Sequence, residues 1–329
     1  MLERSKFYSL SGINLDMALE AHEIIRGETG QEISGVRIER EKYEYAEVTS
    51  VHVENELAEK TMGKPIGSYV TIDAPEIRRN NREIQKEIAT IIANKSTQMA
   101  RLNENDTVLL VGLGNWNATP DALGPRVIDF SLVTRHIHNY APEELSNGLR
   151  SVCALAPGVL GTTGIETAEI IRGVVEKVKP NLIICIDALA SASVERIASS
   201  IQIADTGISP GSGIGNKRAG INEETMGVPV IAIGLPTVVH AAVIAHETLN
   251  QFFKELQTSP TLYQIYKGLR PEAVQNIINS VLKPYEGALM VTPKEIDDLI
   301  KNSAKIIAGG INQAMHPAIN PEDFSEYLN

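Results

Sequence analysis

Two uninterrupted apolar runs, Val108-Leu-Leu-Val111 and Leu182-Ile-Ile-Cys-Ile186, restrict this chain more than any other feature. A strand with apolar side chains on successive residues has no face to give to water, so it fits a parallel strand buried on both faces. Each run leads into small residues and a carboxylate. The first passes through Gly112-Leu-Gly114 to Asp121, within Thr119-Pro-Asp-Ala-Leu-Gly-Pro125, and the second passes without a spacer to Asp187. In open α/β sheets ligands bind beyond the carboxyl ends of the strands, so Asp121 and Asp187 are expected at one crevice as an acid/base pair. Desolvation at the rim of a core raises a carboxyl pKa, and a second carboxylate raises it further for one member of the pair. One Asp then stays protonated while its neighbour acts as a base. The competing reading of either residue is a helix N-cap or a strand-end hydrogen bond.

Strand candidates at 107–112, 151–156, 182–187 and 228–233 are separated by helical segments, notably 165–178, which favours right-handed βαβ units. The expected fold is α/β: an open, mostly parallel sheet with helices on both faces, plus an N-terminal antiparallel portion where 36–53 alternates. Residues 17–27 read as a helix stopped by Gly27, and 74–103 as a helical stretch carrying Ile84, Ile88, Ile91 and Ile92. The last helix begins at Thr292-Pro-Lys-Glu295, with Thr292 as cap and Glu295 closing a capping box. Its apolar positions are Ile296, Leu299, Ile300 and Ile307. His136 and His138, two residues apart, suit a strand face. Hydrophobic residues make up 43% of the chain but include only five Phe and one Trp, so the core must be mostly aliphatic.

A formal net charge of −11 argues against a nucleic-acid footprint, which needs a basic face. Cys153 and Cys185 are too few and too far apart for a zinc knuckle or a disulfide framework and read as buried thiols. The first ten residues lack the apolar core of a signal peptide, and no stretch is long enough to span a bilayer. A reducing, cytoplasmic compartment is the simplest expectation, with no membrane partner.

Other motifs lead to weaker chemistry. Gly112-Leu-Gly114 follows a strand as a dinucleotide fingerprint should, but Asn117 stands where the third glycine is needed for close helix–strand packing. Pro210-Gly-Ser-Gly-Ile-Gly-Asn-Lys-Arg218 looks like a phosphate loop, yet Asn216 replaces the glycine before Lys217 and Arg218 replaces the magnesium-binding hydroxyl. Gly211, Ser212, Gly213, Gly215, Asn216 and Lys217 still form an amide-rich loop that either binds a carboxylate or oxyanion or is a plain surface loop. Ser191 and Ser193 lack a nucleophile elbow and read as small-residue packing. His240, in Pro236-Thr-Val-Val-His240, follows a strand candidate and can be drawn to the same crevice. No His-Glu-x-x-His pattern occurs, and neither a resident metal nor a cofactor is expected.

Five segments together carry a resemblance: Thr119-Pro-Asp-Ala-Leu-Gly-Pro125, Ala156-Pro-Gly-Val-Leu-Gly-Thr-Thr-Gly-Ile-Glu-Thr167, Ile186-Asp-Ala-Leu-Ala190, 210–218 and Met290-Val-Thr-Pro-Lys-Glu295. In order, and over nearly the whole chain, they resemble the germination proteases of spore-forming bacteria. That resemblance implies an endopeptidase of the forespore or spore core that degrades small acid-soluble spore proteins at germination. It also implies an atypical aspartic protease, made as a zymogen and assembled as a homotetramer, whose catalytic aspartates fall on Asp121 and Asp187. Asn14-Leu-Asp16-Met-Ala-Leu-Glu20 matches the family's self-cleavage boundary, so 1–16 is expected to be a propeptide cut between Asp16 and Met17, and 17–329 a single α/β catalytic domain. Phe7, Tyr8, Leu10, Ile13 and Leu15 give that propeptide an apolar docking surface, worth roughly 1.5–3 kcal/mol for each side chain buried. The glycine loop at 211–215 becomes a candidate for holding the oxyanion or guiding the peptide. The Gly-Leu-Gly-Asn and Asp-Ala-Leu-Gly segments are also similar to hydrogenase maturation proteases, where acidic residues and a His bind nickel on the substrate. A metal-dependent peptidase using His240 is therefore the alternative.

Overall fold

The two apolar runs lie side by side as parallel strands, in register from Val108↔Leu182 to Gly112↔Ile186. They belong to a computed structural model that describes residues 7–8, 11–140, 148–210, 219–257, 271–285 and 289–319, with residues 28, 257 and 271–275 as backbone only. Among these residues one sheet contains β1 (Val36–Lys42), β2 (Glu47–Val53), β3 (Gly67–Asp73), β4 (Thr107–Gly112), β5 (Ser151–Leu155), β6 (Leu182–Ser191), β7 (Ser200–Ala204), β8 (Val230–His240) and β9 (Met290–Val291). The helices are α1 (Ala18–Thr29), α2 (Glu56–Met62), α3 (Arg82–Ala100), α4 (Leu123–Asp129), α5 (Arg135–Tyr140), α6 (Thr167–Val178), α7 (Ala241–Gln257), α8 (Pro271–Leu282) and α9 (Ile296–Met315), with single turns at Leu160–Thr163 and Glu223–Met226.

The spatial order is β1-β2-β3-β7-β8-β6-β4-β5, with β9 added to β8. The block β8-β6-β4-β5 is parallel, as expected for its aliphatic strands. β1, β2 and β3 form the N-terminal antiparallel portion, and β7 joins the two halves by pairing antiparallel with both β3 and β8. Because side chains alternate across a strand, one run feeds two layers. Val108 and Leu110 of β4 join Ile84, Ile88, Ile91 and Ile92 of α3 and Ile300, Ile307 and Ile311 of α9 in the larger core. Leu109 and Val111 face Ile171 and Val175 of α6 on the other side. α1 and α2 cover that same side over β2 and β3, through Leu19, Ala58 and Met62 against Val51, Val53 and Tyr69.

Several local expectations change. The first helix runs through Gly27 to Thr29 and ends at Gly30, whose φ of +66° only glycine takes without strain; the Gly30 N–H bonds to Arg26 O at 2.8 Å. Strand β6 does not stop at Asp187 but continues to Ser191, supported beyond the end of β4 by β8 alone. Asp187 is thus the first β6 residue past the β4 ladder rather than the end of a strand. His136 and His138 are exposed on the short helix α5, which Thr134 anchors by accepting the Ile137 N–H on its carbonyl and the Val152 N–H on its hydroxyl. Thr292 does not cap α9, because its hydroxyl donates instead to Thr237 O on β8 at 2.9 Å. Cys185 is buried, whereas Cys153 is only half-buried.

Candidate active site

The crevice is built where β4 ends and β6 goes on. Leu113 N–H bonds to Ile186 O at 2.8 Å, continuing the strand contact one residue past β4. Gly114 then takes φ +112°, and a Cβ there would lie 2.0 Å from Asp121 O, so only glycine lets the chain fold back against Asp121. Asp121 ends a single 3₁₀ turn, Thr119–Asp121, and its Oδ2 accepts the Asn115 N–H at 2.8 Å. Asp187 is 6% exposed, and its Oδ1 accepts the Ala188 N–H at 2.9 Å. Both aspartates line one cavity of about 1000 Å³.

Asn14, Leu15 and Asp16 line the same cavity. The Asp16 carbonyl accepts hydrogen bonds from Lys64 Nζ at 2.8 Å and Gln202 Nε2 at 3.3 Å. Its carboxylate accepts the Ala190 N–H at 2.9 Å, and the Ala18 N–H donates to Gln202 Oε1 at 2.7 Å. Met17 and Ala18 are completely buried. Upstream, Phe7 stacks on His246 with ring centroids 4.0 Å apart, Tyr8 donates to Ala192 O at 3.2 Å, and Ile13 is buried; Leu10 falls outside the described residues. Lys64 as a whole is half-buried, its Nζ bonded to the Asp16 carbonyl; burial pushes its pKa down, against the pull of Asp16 and Glu20.

Glu20 is 2% exposed at the start of α1. Its carboxylate accepts the Ser191 hydroxyl at 2.9 Å and the Ala192 N–H at 3.0 and 3.1 Å, with Arg196 at 3.6 Å. Burial pushes this carboxyl up to about 7, against the opposing pull of Ala192, Arg196 and Ser191. The folded state therefore holds the proton to a higher pH than the unfolded chain, and stability falls as pH rises from about 4.5 to about 7, then levels. The span corresponds to about 3 kcal/mol. Glu20→Gln should flatten that part of the profile, as urea melts of both proteins between about pH 5 and pH 8 would show; parallel profiles would contradict it.

Other candidates are placed less centrally. His240 is buried at the end of β8 and paired with Met290; Met290 lines the cavity but His240 is not among its lining residues. Gly211, Ser212, Gly213, Gly215, Asn216 and Lys217 lie outside the described residues. The flank of that loop reaches the cavity through Gly207, Ile208 and Ser209, and its base is closed by the Ile208↔Ile221 bridge. Sequence reasoning missed Lys64, Gln202 and the residues that hold Glu20. Gln202 carried a signal: a polar residue at the centre of the apolar five-residue strand Ser-Ile-Gln-Ile-Ala.

Among the described residues no three His, Cys, Asp or Glu side chains gather as a metal-binding group, and no helix is long and apolar enough to cross a membrane. A family profile described as germination protease matches residues 15–261 and 255–328. The chain belongs to the germination protease family. It is 49% identical over 322 residues to the germination protease of Caldanaerobacter subterraneus subsp. tengcongensis, covering 97% of this chain and 98% of that protein. The germination protease of Clostridium tetani is 47% identical over 321 residues, with 96% and 99% covered, and that of Bacillus mycoides 39% over 368 positions, with 100% and 99% covered. The profile match begins at residue 15, so Asp16, Met17, Asp121 and Asp187 all fall within the part of the chain shared with germination proteases.

Proposed function

We propose that this chain is a spore-germination endopeptidase that cuts small acid-soluble spore proteins and is made as a zymogen that first cuts itself between Asp16 and Met17. The observation that carries the reading is that Asp16 lines the same cavity as Asp121 and Asp187, with the backbone on either side of the Asp16–Met17 bond hydrogen-bonded to the body of the protein. Two carboxyl groups suffice for hydrolysis. The ionised one takes a proton from water, and the protonated one polarises the carbonyl under attack. Coupled carboxylates titrate as a pair, so the two roles belong to Asp121 and Asp187 together. Residues 1–16 act as the propeptide, fastened by Phe7, Tyr8 and Ile13, and the active protein acts as a homotetramer in the spore core. The loop from Gly211 to Lys217, whose flank meets the cavity, guides the substrate peptide.

The test is mass spectrometry of the full chain during storage, followed by product mapping when the processed protein meets a small acid-soluble spore protein. A new terminus at Met17, then cuts after acidic residues, is the expected result. A terminus elsewhere would overturn the processing site. Loss of cutting on chelation, restored by one metal ion, would move the mechanism to the metal-dependent class.

A further inference from the structure

When water adds to a peptide carbonyl, negative charge develops on the carbonyl oxygen, and donors already aimed at that oxygen lower the barrier. The oxygen of Asp16 has two side-chain donors, Lys64 Nζ at 2.8 Å and Gln202 Nε2 at 3.3 Å. Gln202 spans the bond, because its Oε1 also accepts the Ala18 N–H at 2.7 Å. The donors come from separate elements. Lys64 follows α2 through Gly63 at φ +62°, while Gln202 is the central residue of β7. Gln202 pairs with Gly234 and Gly234 with Asp187, so Gln202 and Asp187 point from the same face of the sheet, two strand spacings or about 10 Å apart.

We infer that Lys64 and Gln202 form the carbonyl-holding half of the hydrolytic site, with Lys64 as a catalytic residue that donates to the oxygen on which charge develops. The inference rests on the Asp16–Met17 bond being the one cut. Water oxygen bonds to the carbonyl carbon of residue 16 as a carboxylate takes its proton, and the C=O electron pair moves onto the oxygen held by Lys64. The C–N bond then breaks, the proton passes to the Met17 nitrogen, and a carboxyl group at 16 and an amine at 17 result. Burial makes one cation worth more here than in water. A substrate whose acidic residue precedes the bond meets the same clamp, its side chain taking the Ala190 N–H as Asp16 does.

The test follows the full chain by intact mass, comparing the parent with Lys64→Ala, Lys64→Arg and Gln202→Leu after matching their melting curves. Lys64→Ala should form the Met17 terminus at least tenfold more slowly, Lys64→Arg should retain most of the rate, and added propylammonium should partly rescue Lys64→Ala. Tetramethylammonium, which carries the charge without an N–H, should not. Conversion of Lys64→Ala at the parent rate, or equal rescue by both cations, would overturn the clamp and leave these contacts as a fastening for the N-terminal segment. If Lys64→Ala melts too early, Gln202→Leu decides by the same rate criterion. A parent chain cut at another bond would instead refute the processing site on which the inference stands.

Discussion

Asp187→Asn should fold as the parent chain does and lose peptide-bond cleavage by about a thousandfold or more. The folding half follows from the contacts. Asn keeps the size of Asp and an oxygen to accept the Ala188 N–H, and the ladders from β6 to β4 and β8 are made by backbone alone. The catalytic half follows from proton chemistry, because an amide neither takes a proton from water nor returns one to a leaving amine near neutral pH. Asp121→Asn should match it, since an oxygen remains for the Asn115 N–H. Residues that act as a unit lose function non-additively, so the double variant should be little worse than either single one. The assay is the time course of intact mass for the full chain beside its melting curve. An Asp187→Asn chain that still shortens to Met17 at the parent rate would remove the carboxyl-pair mechanism.

Asp187 was legible in the sequence because a doubly buried strand announces itself: four or five apolar residues in a row admit few other homes, and a polar residue that follows directly is forced to the rim; Asp121, ten residues past its run, reaches the same crevice only through the turn that Gly114 allows. What that pattern could not convey is where pairing stops. β6 runs on through Ala188-Leu-Ala-Ser191 because β8 continues beside it after β4 has ended, a tertiary fact with no local signature. The same limit hides Lys64 and Gln202. Lys64 is unremarkable locally, the polar Gln202 inside an apolar strand marks itself but not its partner, and the two meet only because β7 inserts antiparallel between β3 and β8. Thr292 shows a local rule losing to a distant partner, since its hydroxyl is taken by Thr237 O before it can cap α9. His136 and His138 show the opposite error, where two residues of apparent strand period were too few to outweigh the anchor that Thr134 gives α5.

The most informative of these sequence patterns is the one rejected as a dinucleotide fingerprint. Asn117 cannot provide the glycine that close helix–strand packing needs, but Gly124 does, from the Asp-Ala-Leu-Gly segment itself. A Cβ on Gly124 would lie 2.2 Å from Leu113 O, 2.5 Å from Leu113 N and 2.6 Å from Ile186 O, all backbone atoms, where β4 ends and β6 runs on beside the crevice. Gly112 meets the same contact from the other side, where an added Cβ would lie 2.3 Å from Gly124 O. None of these atoms can swing away as a side-chain tip would, so Gly124→Ala should cost about 3 kcal/mol or more, at the upper end of overpacking effects. It should also push α4 off the sheet and carry Asp121, three residues before it, away from Asp187, so that cleavage falls even where the chain remains folded. Gly173→Ala is the control. Gly173 is exposed within α6 with nothing inside 4 Å of an added Cβ, so the same change should stabilise by about 0.5–1 kcal/mol. Urea melts of the two variants should therefore move in opposite directions, and a Gly124→Ala protein that melts with the parent would mean that the backbone at Leu113 and Ile186 yields to α4 and that the spacing of the two aspartates is not set there.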